Sequence, residues 1–145
     1  NTVDVLLIGY VRGEDASGTV TLVKTPNGKR ILVDVGDPWN GDELKEKLSN
    51  KRLTPHDITD VVITHGHIDH CGNVSLFKYA TFYMDKDYAK REYYSSFSEI
   101  ELDPGVRVIG MVGHTSRDLI VEVKGTEKGT VVVAGKLSST DCYRL

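Results

Sequence analysis

The stretch His65-Gly66-His67-Ile68-Asp69-His70 places three imidazoles and one carboxylate within six residues. Histidine is intermediate in burial, and aspartate is almost never buried unless it is paired or bound to metal, so a hydrophobic core has no use for such a cluster. Neutral imidazole nitrogens and carboxylate oxygens are, in contrast, the ligands that zinc takes in hydrolytic sites. We interpret this segment, HGHIDH, as a metal-binding motif; the alternative is a polar loop that is histidine-rich by chance.

The spacing within HGHIDH predicts which side chains share an ion. His65 and His67 are two residues apart, so an extended loop directs both to one side, where they can chelate the same ion. Asp69 and His70 follow one turn later and can hold a second ion. A third ligand for the first ion must come from another segment, and His114, which follows a predicted strand, is the candidate. Three imidazoles with an open fourth position suit zinc, with iron or manganese as alternatives, and generate metal-activated hydroxide.

The composition is that of a soluble, folded domain. The chain has 145 residues, of which 39% are hydrophobic and 27% charged, and its net charge is -3. These values fit a single domain and give no overall basic surface for nucleic acid. Cys71, next to HGHIDH, is predicted to pack beneath the site rather than to bind metal. There is no apolar stretch long enough for a membrane span and no signal-peptide pattern. We therefore expect one domain over residues 1–145, in the cytoplasm or the nucleus, without membrane contact.

The hydrophobic pattern predicts an α/β fold. One amphipathic helix is predicted to begin at Asp42, with leucines four residues apart on its buried face, and a second at Thr54, with proline in its first turn. A third short helix is predicted near Asn73, and residues 13–18 are predicted to form a turn. Strands are predicted over Val3–Ile8, Thr19–Lys24, Arg30–Val35, Asp60–Thr64, Thr81–Met84, Val106–Ile109, Leu119–Lys124 and Thr130–Ala134.

Aromatic residues outside HGHIDH receive mostly structural interpretations. The tyrosine-rich segment from Tyr83 to Phe97 predicts a partly buried helix and loop whose lysines and arginines face water. The alternative is a nucleic-acid surface, where tyrosine rings stack on bases while Lys90 and Arg91 contact phosphates. Trp39 is predicted to line the core or a pocket. His56 is predicted to lie at the surface, away from HGHIDH.

Taken together, these motifs resemble those of the metallo-β-lactamase superfamily. HGHIDH, followed further along the chain by Gly113-His114-Thr115, is similar to the metal-binding signature of that superfamily. The segment from Ile31 to Gly36 is similar to its first Asp-x-Gly strand motif. The resemblance extends from about Val5 to Gly135. It implies an αββα sandwich and a metal-dependent hydrolase whose metal-activated hydroxide attacks a carbonyl or phosphorus centre.

The resemblance also implies roles for single residues. Asp69 would be catalytic, because it orients the attacking water as well as binding metal. Asp34 would accept a hydrogen bond from a ligand imidazole and so fix its tautomer. A turn-forming role before Gly36 is an equally weighted alternative for Asp34. The metal ligands that the resemblance implies are His65, His67 and His114 for one ion, and Asp69 and His70 for the other.

Two features depart from the superfamily pattern. Lys136 stands where the superfamily has an aspartate that bridges two metal ions. The superfamily also uses a last histidine at its second site, whereas no histidine follows His114 in this sequence. An ammonium group between two cations would repel them, and Asp141 is a weak substitute five residues further on. We therefore expect a complete first site, an incomplete second site and a sandwich that is incomplete at its C-terminal end.

Three functions remain open after the sequence analysis. The preferred one is cleavage of RNA phosphodiesters, because the resemblance is closest to a subgroup assigned RNA endonuclease activity on histone pre-mRNA 3′ ends. The second is hydrolysis of a small-molecule thioester or lactone, as in glyoxalase-like enzymes. The third is a catalytically impaired variant that binds one metal ion or none. The expected partners are thus RNA or a small ester or thioester, with a second copy of the chain, forming a homodimer, as a further candidate.

Overall fold

A computed structural model describes residues 1–112, 115 and 117–135 of the chain. Its helices are Gly41–Asn50 (α1) and Ile68–Cys71 (α2), and 3-10 turns lie at Pro38–Asn40, Pro55–Asp57 and Val74–Phe77. The strands are Thr2–Leu7 (β1), Tyr10–Arg12 (β2), Asp15–Ser17 (β3), Val20–Lys24 (β4), Arg30–Val33 (β5), Asp60–Ile63 (β6), Thr81–Met84 (β7), Asp87–Lys90 (β8), Tyr93–Ser96 (β9), Glu99–Asp103 (β10), Val106–Met111 (β11), Asp118–Thr126 (β12) and Gly129–Ala134 (β13).

These strands form two larger sheets and one small hairpin within the described part of the chain. The first sheet has the order β1-β4-β5-β6-β7-β8-β9 and the second the order β10-β11-β12-β13, while β2 pairs with β3. Strand β6 runs parallel to both of its neighbours, β5 and β7. The other pairs are antiparallel. Parallel neighbours need crossover connections, and α1 lies in the crossover from β5 to β6.

Two buried clusters cover the two faces of the first sheet. Successive side chains of a strand point to opposite faces, so β4 and β5 contribute to both clusters. The helix-side cluster contains Leu22, Leu32, Leu44, Leu48 and Phe77, and the cluster between the sheets contains Val23, Ile31, Val62, Val108 and Val121. The layers are thus a helix layer, the first sheet and the second sheet. The predicted α/β class is confirmed, and the predicted strands lie close to their predicted bounds.

The interpretation of the tyrosine-rich segment as a helix and loop is wrong. Only its start lies in a predicted strand, β7, and the rest forms β8 and β9, which extend the first sheet to its edge. Two short turns reverse the chain, and Asp85 and Arg91 in these turns have φ angles of 60° and 56°. The ring of Tyr88 stacks on that of Tyr83 with centroids 5.8 Å apart, whereas Tyr94 on the edge strand is 70% exposed. Tyrosine has a high strand propensity, and pairing with β7 makes that propensity decisive.

Other local predictions need smaller corrections. Trp39 is 74% exposed, so it does not lie in the core. Residues 13–18 are not wholly a turn, because β3 pairs with β2 in this region. The N-cap residue of helix α1 is Asn40, two residues before Asp42, the predicted N-cap. His56 is exposed, as predicted.

Some predictions fall outside the described residues. His114, Lys136 and Asp141 are among them, so their predicted roles stay predictions. The single domain over residues 1–145 also stays a prediction. Within residues 1–112, 115 and 117–135, none of the helices has the length and apolar character needed to cross a membrane.

Asp57 is the last residue of the 3-10 turn that follows Thr54, and its hydrogen bonds predict that the stability of the protein depends on pH. Its Oδ2 accepts bonds from the Thr54 backbone N–H at 2.7 Å and from the Thr54 hydroxyl at 3.1 Å. These bonds favour the charged form, so the pKa of Asp57 lies below its ordinary 3.8. The stabilisation is therefore present above pH 3.8 and is lost as the pH falls through the lower pKa of the folded protein. We expect Asp57→Asn to lower the melting temperature at pH 7 and to match wild type under strongly acidic conditions.

Circular-dichroism melting curves recorded from pH 7 downwards test this expectation. Asp42→Asn is the matched control, because the Asp42 side chain is fully exposed and its only described ion pair, with Lys45, spans 3.6 Å. We expect its melting temperature to follow that of wild type throughout. A difference between Asp57→Asn and wild type that stays constant with pH would contradict the assignment.

Candidate metal centre

HGHIDH follows the carboxyl end of strand β6, with Thr64 between them. Thr64, directly after the strand, is 1% exposed, and His65 is 3% exposed. His67 is the residue before α2, and its carbonyl oxygen accepts bonds from the backbone N–H groups of His70 and Cys71 at 3.0 and 3.2 Å. The first half of the motif is therefore extended, and the second half occupies a single helical turn.

The four metal-ligating candidates of HGHIDH are neighbours in space. The ring centroids of His65 and His67 are 4.7 Å apart, and those of His65 and His70 are 4.2 Å apart. The Oδ2 atom of Asp69 lies 3.4 Å from Nε2 of His70. His65 is thus as close to His70 as it is to His67, so the described side chains form one cluster rather than two separated pairs.

Asp34 lies beside this cluster and forms hydrogen bonds with His70 and with Thr64. It follows β5, is 2% exposed and has a φ angle of 62°. Its Oδ1 accepts a bond from the Thr64 N–H at 2.7 Å, and its Oδ2 accepts one from the Thr64 hydroxyl at 2.7 Å. The same Oδ2 lies 2.6 Å from Nδ1 of His70. Asp34 therefore combines the two roles proposed for it, a turn residue and a hydrogen-bond partner of an imidazole.

These bonds define the tautomers of two imidazoles. A carboxylate only accepts hydrogen bonds, so Nδ1–H of His70 donates to Asp34. The Thr64 hydroxyl donates its hydrogen bond to Asp34, and its oxygen lies 3.2 Å from Nδ1 of His65. That oxygen accepts, so Nδ1 of His65 carries the proton. In the neutral forms of His65 and His70, the lone pair is then on Nε2, which is the form in which imidazole binds metal.

Burial and charge act in opposite directions at His70. Burial disfavours the charged imidazolium and by itself lowers the pKa of His70. The hydrogen bond and the negative charge of Asp34 outweigh burial, so the pKa is raised. Burial also raises the pKa of the neighbouring Cys71, whose thiol donates to the His67 carbonyl oxygen at 3.2 Å.

Two glycines allow other segments to approach the cluster closely. A Cβ at Gly18 would overlap the carbonyl oxygen of Asp69 and lie 3.0 Å from its carbonyl carbon. A Cβ at Gly135 would overlap the Thr64 hydroxyl and lie 2.9 Å from Nδ1 of His65. Only glycine fits at these two positions without displacing the residues that carry the cluster.

The donor set fits a zinc-like ion by its chemistry. Imidazole nitrogens and a carboxylate are the zinc donors of hydrolytic sites, and Asp34 holds His70 as such sites hold their ligands. Among the residues that the structure describes, no three His, Cys, Asp or Glu side chains converge as a metal-binding group. The predicted third imidazole, His114, lies outside the described residues. The described side chains are therefore candidate ligands, and their binding of metal stays a prediction.

A cleft opens beside His65. Its volume is about 230 Å³, and it is lined by His65, Gly66, Met84, Asp85, Thr115 and Arg117. Sequence reasoning missed Thr64 and Arg117 at this site. Their partners lie 30 and 32 residues away along the chain. A threonine before HGHIDH and an arginine after a strand have no signal of their own, because both residue types are common at surfaces.

Comparison with known proteins identifies relatives of this chain. Residues 13–128 match the model of the metallo-beta-lactamase superfamily. The chain is 40% identical over 149 residues to Metallo-beta-lactamase domain-containing protein 1 of Xenopus laevis, an alignment that covers 94% of this chain and 63% of that protein. It is 41% identical over 118 residues to the human protein of the same name, covering 77% of this chain and 44% of that protein. The chain thus spans less than two thirds of these relatives.

Solved structures show the same architecture. A Thermotoga maritima protein described as a metallo-beta-lactamase superposes with a TM-score of 0.71 at 26% identity, covering 91% of this chain and 76% of that one. A quorum-quenching N-acyl homoserine lactone lactonase superposes with a TM-score of 0.63 at 23% identity, covering 79% of this chain and 58% of that one. The second likeness concerns the fold alone.

Proposed function

The chain belongs to the metallo-β-lactamase superfamily, and from that premise we propose that it is a metal-dependent hydrolase. The observation that carries the proposal is the hydrogen-bonded set of Asp34, Thr64, His65 and His70. This set holds His65 and His70 through their Nδ1 atoms, and Nε2 of His70 lies 3.4 Å from the Asp69 carboxylate. Imidazoles that bind metal are typically held in this way, through a hydrogen bond of the other ring nitrogen.

We assign each residue of the site a separate role in hydrolysis. His65, His67, Asp69 and His70, with His114 as the predicted further ligand, would hold zinc. When bound, a zinc ion polarises the substrate and lowers the pKa of water to about 7. Asp34 keeps the His70 ring from rotating, and Thr64 does the same for His65. Asp69 would accept a proton from the attacking water and orient it.

RNA phosphodiesters are our proposed substrate, the class expected from the sequence resemblance. Exposed aromatic and cationic side chains at the edge of the first sheet support it. Tyr93 and Tyr94 are 63% and 70% exposed. The Tyr79 ring has Lys78 Nζ 5.3 Å and Arg91 Cζ 5.6 Å from its centroid. Exposed rings can stack on bases while the neighbouring cations contact phosphates.

A small thioester or lactone is the second candidate substrate. The size of the cleft beside His65, about 230 Å³, favours it. Such a volume accommodates a small acyl group, whereas an RNA strand would have to extend from the cleft along the sheet edge.

Removal of one imidazole tests the metal site. We expect His67→Ala to lower bound zinc by about one equivalent per chain, because a hydrolytic zinc ion is held by three protein ligands and this change removes one of them. Inductively coupled plasma mass spectrometry on protein purified without added metal gives the zinc content. His56→Ala is the matched control, because His56 is exposed and its ring contacts that of Tyr79, with centroids 4.9 Å apart and the planes tilted by 45°. Equal zinc content in wild type and His67→Ala would contradict the metal site.

Hydrolysis assays then separate the substrates. The zinc-loaded protein is given a fluorescent single-stranded RNA, a thioester and a lactone. RNA cleavage that falls steeply with salt concentration is the expected result, since phosphate contacts release counterions. Turnover of the thioester or lactone alone would replace RNA by the second candidate. Zinc binding without any turnover would support the impaired variant and overturn the hydrolase.

A further inference from the structure

Arg117 lines the cleft beside His65, and hydrogen bonds of Arg117 and its described neighbours hold its backbone there. Its backbone N–H donates to the Thr115 hydroxyl oxygen at 3.2 Å. Thr115 in turn donates to the Asp118 carboxylate, from its N–H at 3.0 Å and also from its hydroxyl. The next residue, Leu119, donates its N–H to the Thr64 carbonyl oxygen at 2.8 Å. The backbone that carries Arg117 is thus fixed relative to the strand that delivers the histidines.

Asp85 fixes the side chain of Arg117. The Nη1 atom of Arg117 donates a hydrogen bond to Oδ2 of Asp85 at 3.0 Å, and both residues line the cleft. Asp85 lies in the turn between β7 and β8 with a φ angle of 60°, a conformation that glycine adopts more readily in such turns. Aspartate also tolerates this conformation, and here it supplies a carboxylate that glycine would lack.

Stability does not account for this ion pair. The side chains of Arg117 and Asp85 are 61% and 38% exposed, and such pairs contribute little to folding because water screens them. A guanidinium has five N–H donors in a rigid fork. The bond to Asp85 uses one of the two N–H groups of Nη1, and no other side chain of the described residues is bonded to the guanidinium. The remaining donors are oriented and exposed in a cleft that also contains His65.

We propose that Arg117 binds an oxyanion of the substrate in this cleft and that Asp85 is its positioning residue. The site would therefore select substrates that carry a phosphate or a carboxylate next to the bond to be cleaved. A guanidinium fork matches both groups with paired hydrogen bonds. The role in turnover rests on the proposed hydrolase function, whereas the binding of the oxyanion does not.

The first test measures binding without turnover. Inorganic phosphate, dimethyl phosphate and acetate are titrated into the metal-free and the zinc-loaded chain, with the arginine Nε–H resonances followed by NMR. We expect Arg117→Gln to raise the Kd for the preferred anion at least tenfold and Asp85→Asn to raise it by a smaller factor, with melting temperatures unchanged. Arg107→Gln is the matched control, because Arg107 pairs with Glu99 on the second sheet and does not line the cleft.

The Kd values for the three anions identify the class of anion, and their change in the variants tests whether Arg117 binds it. Tighter binding of the phosphates identifies a phosphate-bearing substrate, and tighter binding of acetate identifies a carboxylate-bearing one. A Kd in Arg117→Gln within twofold of wild type for all three anions overturns the proposal, as does an equal loss in Arg107→Gln.

A second measurement separates this proposal from the proposed hydrolase. If the zinc-loaded chain hydrolyses a substrate, Arg117→Gln should raise KM for its anionic form and leave that for an uncharged analogue unchanged. Turnover with the same KM in wild type and Arg117→Gln would retain the hydrolase and overturn the oxyanion site. Anion binding that depends on Arg117 in a chain without turnover would retain the oxyanion site and overturn the hydrolase.

Discussion

Asp34→Ala is expected to lower the free energy of unfolding by about 4 kcal/mol, because it leaves buried donors without an acceptor. Three hydrogens lose their partner: the N–H and hydroxyl of Thr64 and the Nδ1–H of His70. Alanine must also adopt the φ angle of 62° that aspartate tolerates more easily. Both effects act within a part of the protein that is almost fully buried. Urea unfolding of the metal-free protein measures the loss directly.

Arg52→Ala provides the matched control for the backbone part of this effect. Arg52 has a φ angle of 60° but lies exposed after α1. Its replacement places alanine in the same conformation without removing a buried acceptor, so we expect a change within about 0.5 kcal/mol. A loss in Asp34→Ala no larger than that in Arg52→Ala would show that the hydrogen bonds of Asp34 do not stabilise the fold. Zinc content, measured in parallel, should also fall in Asp34→Ala only.

Gly18→Ala is expected to cost about 3 kcal/mol and to displace the second half of HGHIDH, because overpacking forces backbone shifts. The added Cβ would overlap the Asp69 carbonyl oxygen and lie 3.4 Å from Cε1 of His70. A backbone atom cannot move aside by a change of rotamer. Either the segment around Gly18 or the first turn of α2 must therefore shift. Urea unfolding gives the stability, and the zinc content reports whether Asp69 and His70 have moved.

Gly110→Ala distinguishes this overlap from the general effect of adding a methyl group. A Cβ at Gly110 would approach the Ser98 carbonyl oxygen to 3.3 Å, which a small adjustment relieves. Gly110 lies in β11, so its replacement should change stability by no more than about 1 kcal/mol. Equal stabilities of Gly18→Ala and Gly110→Ala would mean that the segment before β4 adapts freely to the motif.

The central elements of the fold could be predicted from the sequence because their patterns are local. The runs that form β4, β5 and β6 are apolar and β-branched, and leucines four residues apart identify α1. The strands β8, β9 and β10 were not predicted. They are short, polar and partly exposed, so only their pairing with neighbouring strands distinguishes them from a loop. That pairing is a tertiary property that no short window of sequence contains.

In the candidate site, too, some residues could be identified from a local motif, whereas other contacts depend on the fold. HGHIDH is continuous, so its histidines could be selected without knowledge of the fold. For Asp34, the sequence allowed a turn role and an imidazole-binding role, and only the structure shows that one conformation satisfies both. The contact between Arg117 and Asp85 depends on how β7 and the loop before β12 meet. Neither residue alone indicates that contact.

The continuity of HGHIDH also links metal affinity to the unfolded state. Its four donors lie within six residues, so an unfolded chain keeps them tethered and can itself take up zinc. A ligand that binds both states stabilises the native one only by the difference between its two affinities. Unfolding removes the alignment that Asp34 and Thr64 impose on His70 and His65, but not the donors. Zinc would therefore protect this fold against heat by less than its affinity for the native chain suggests.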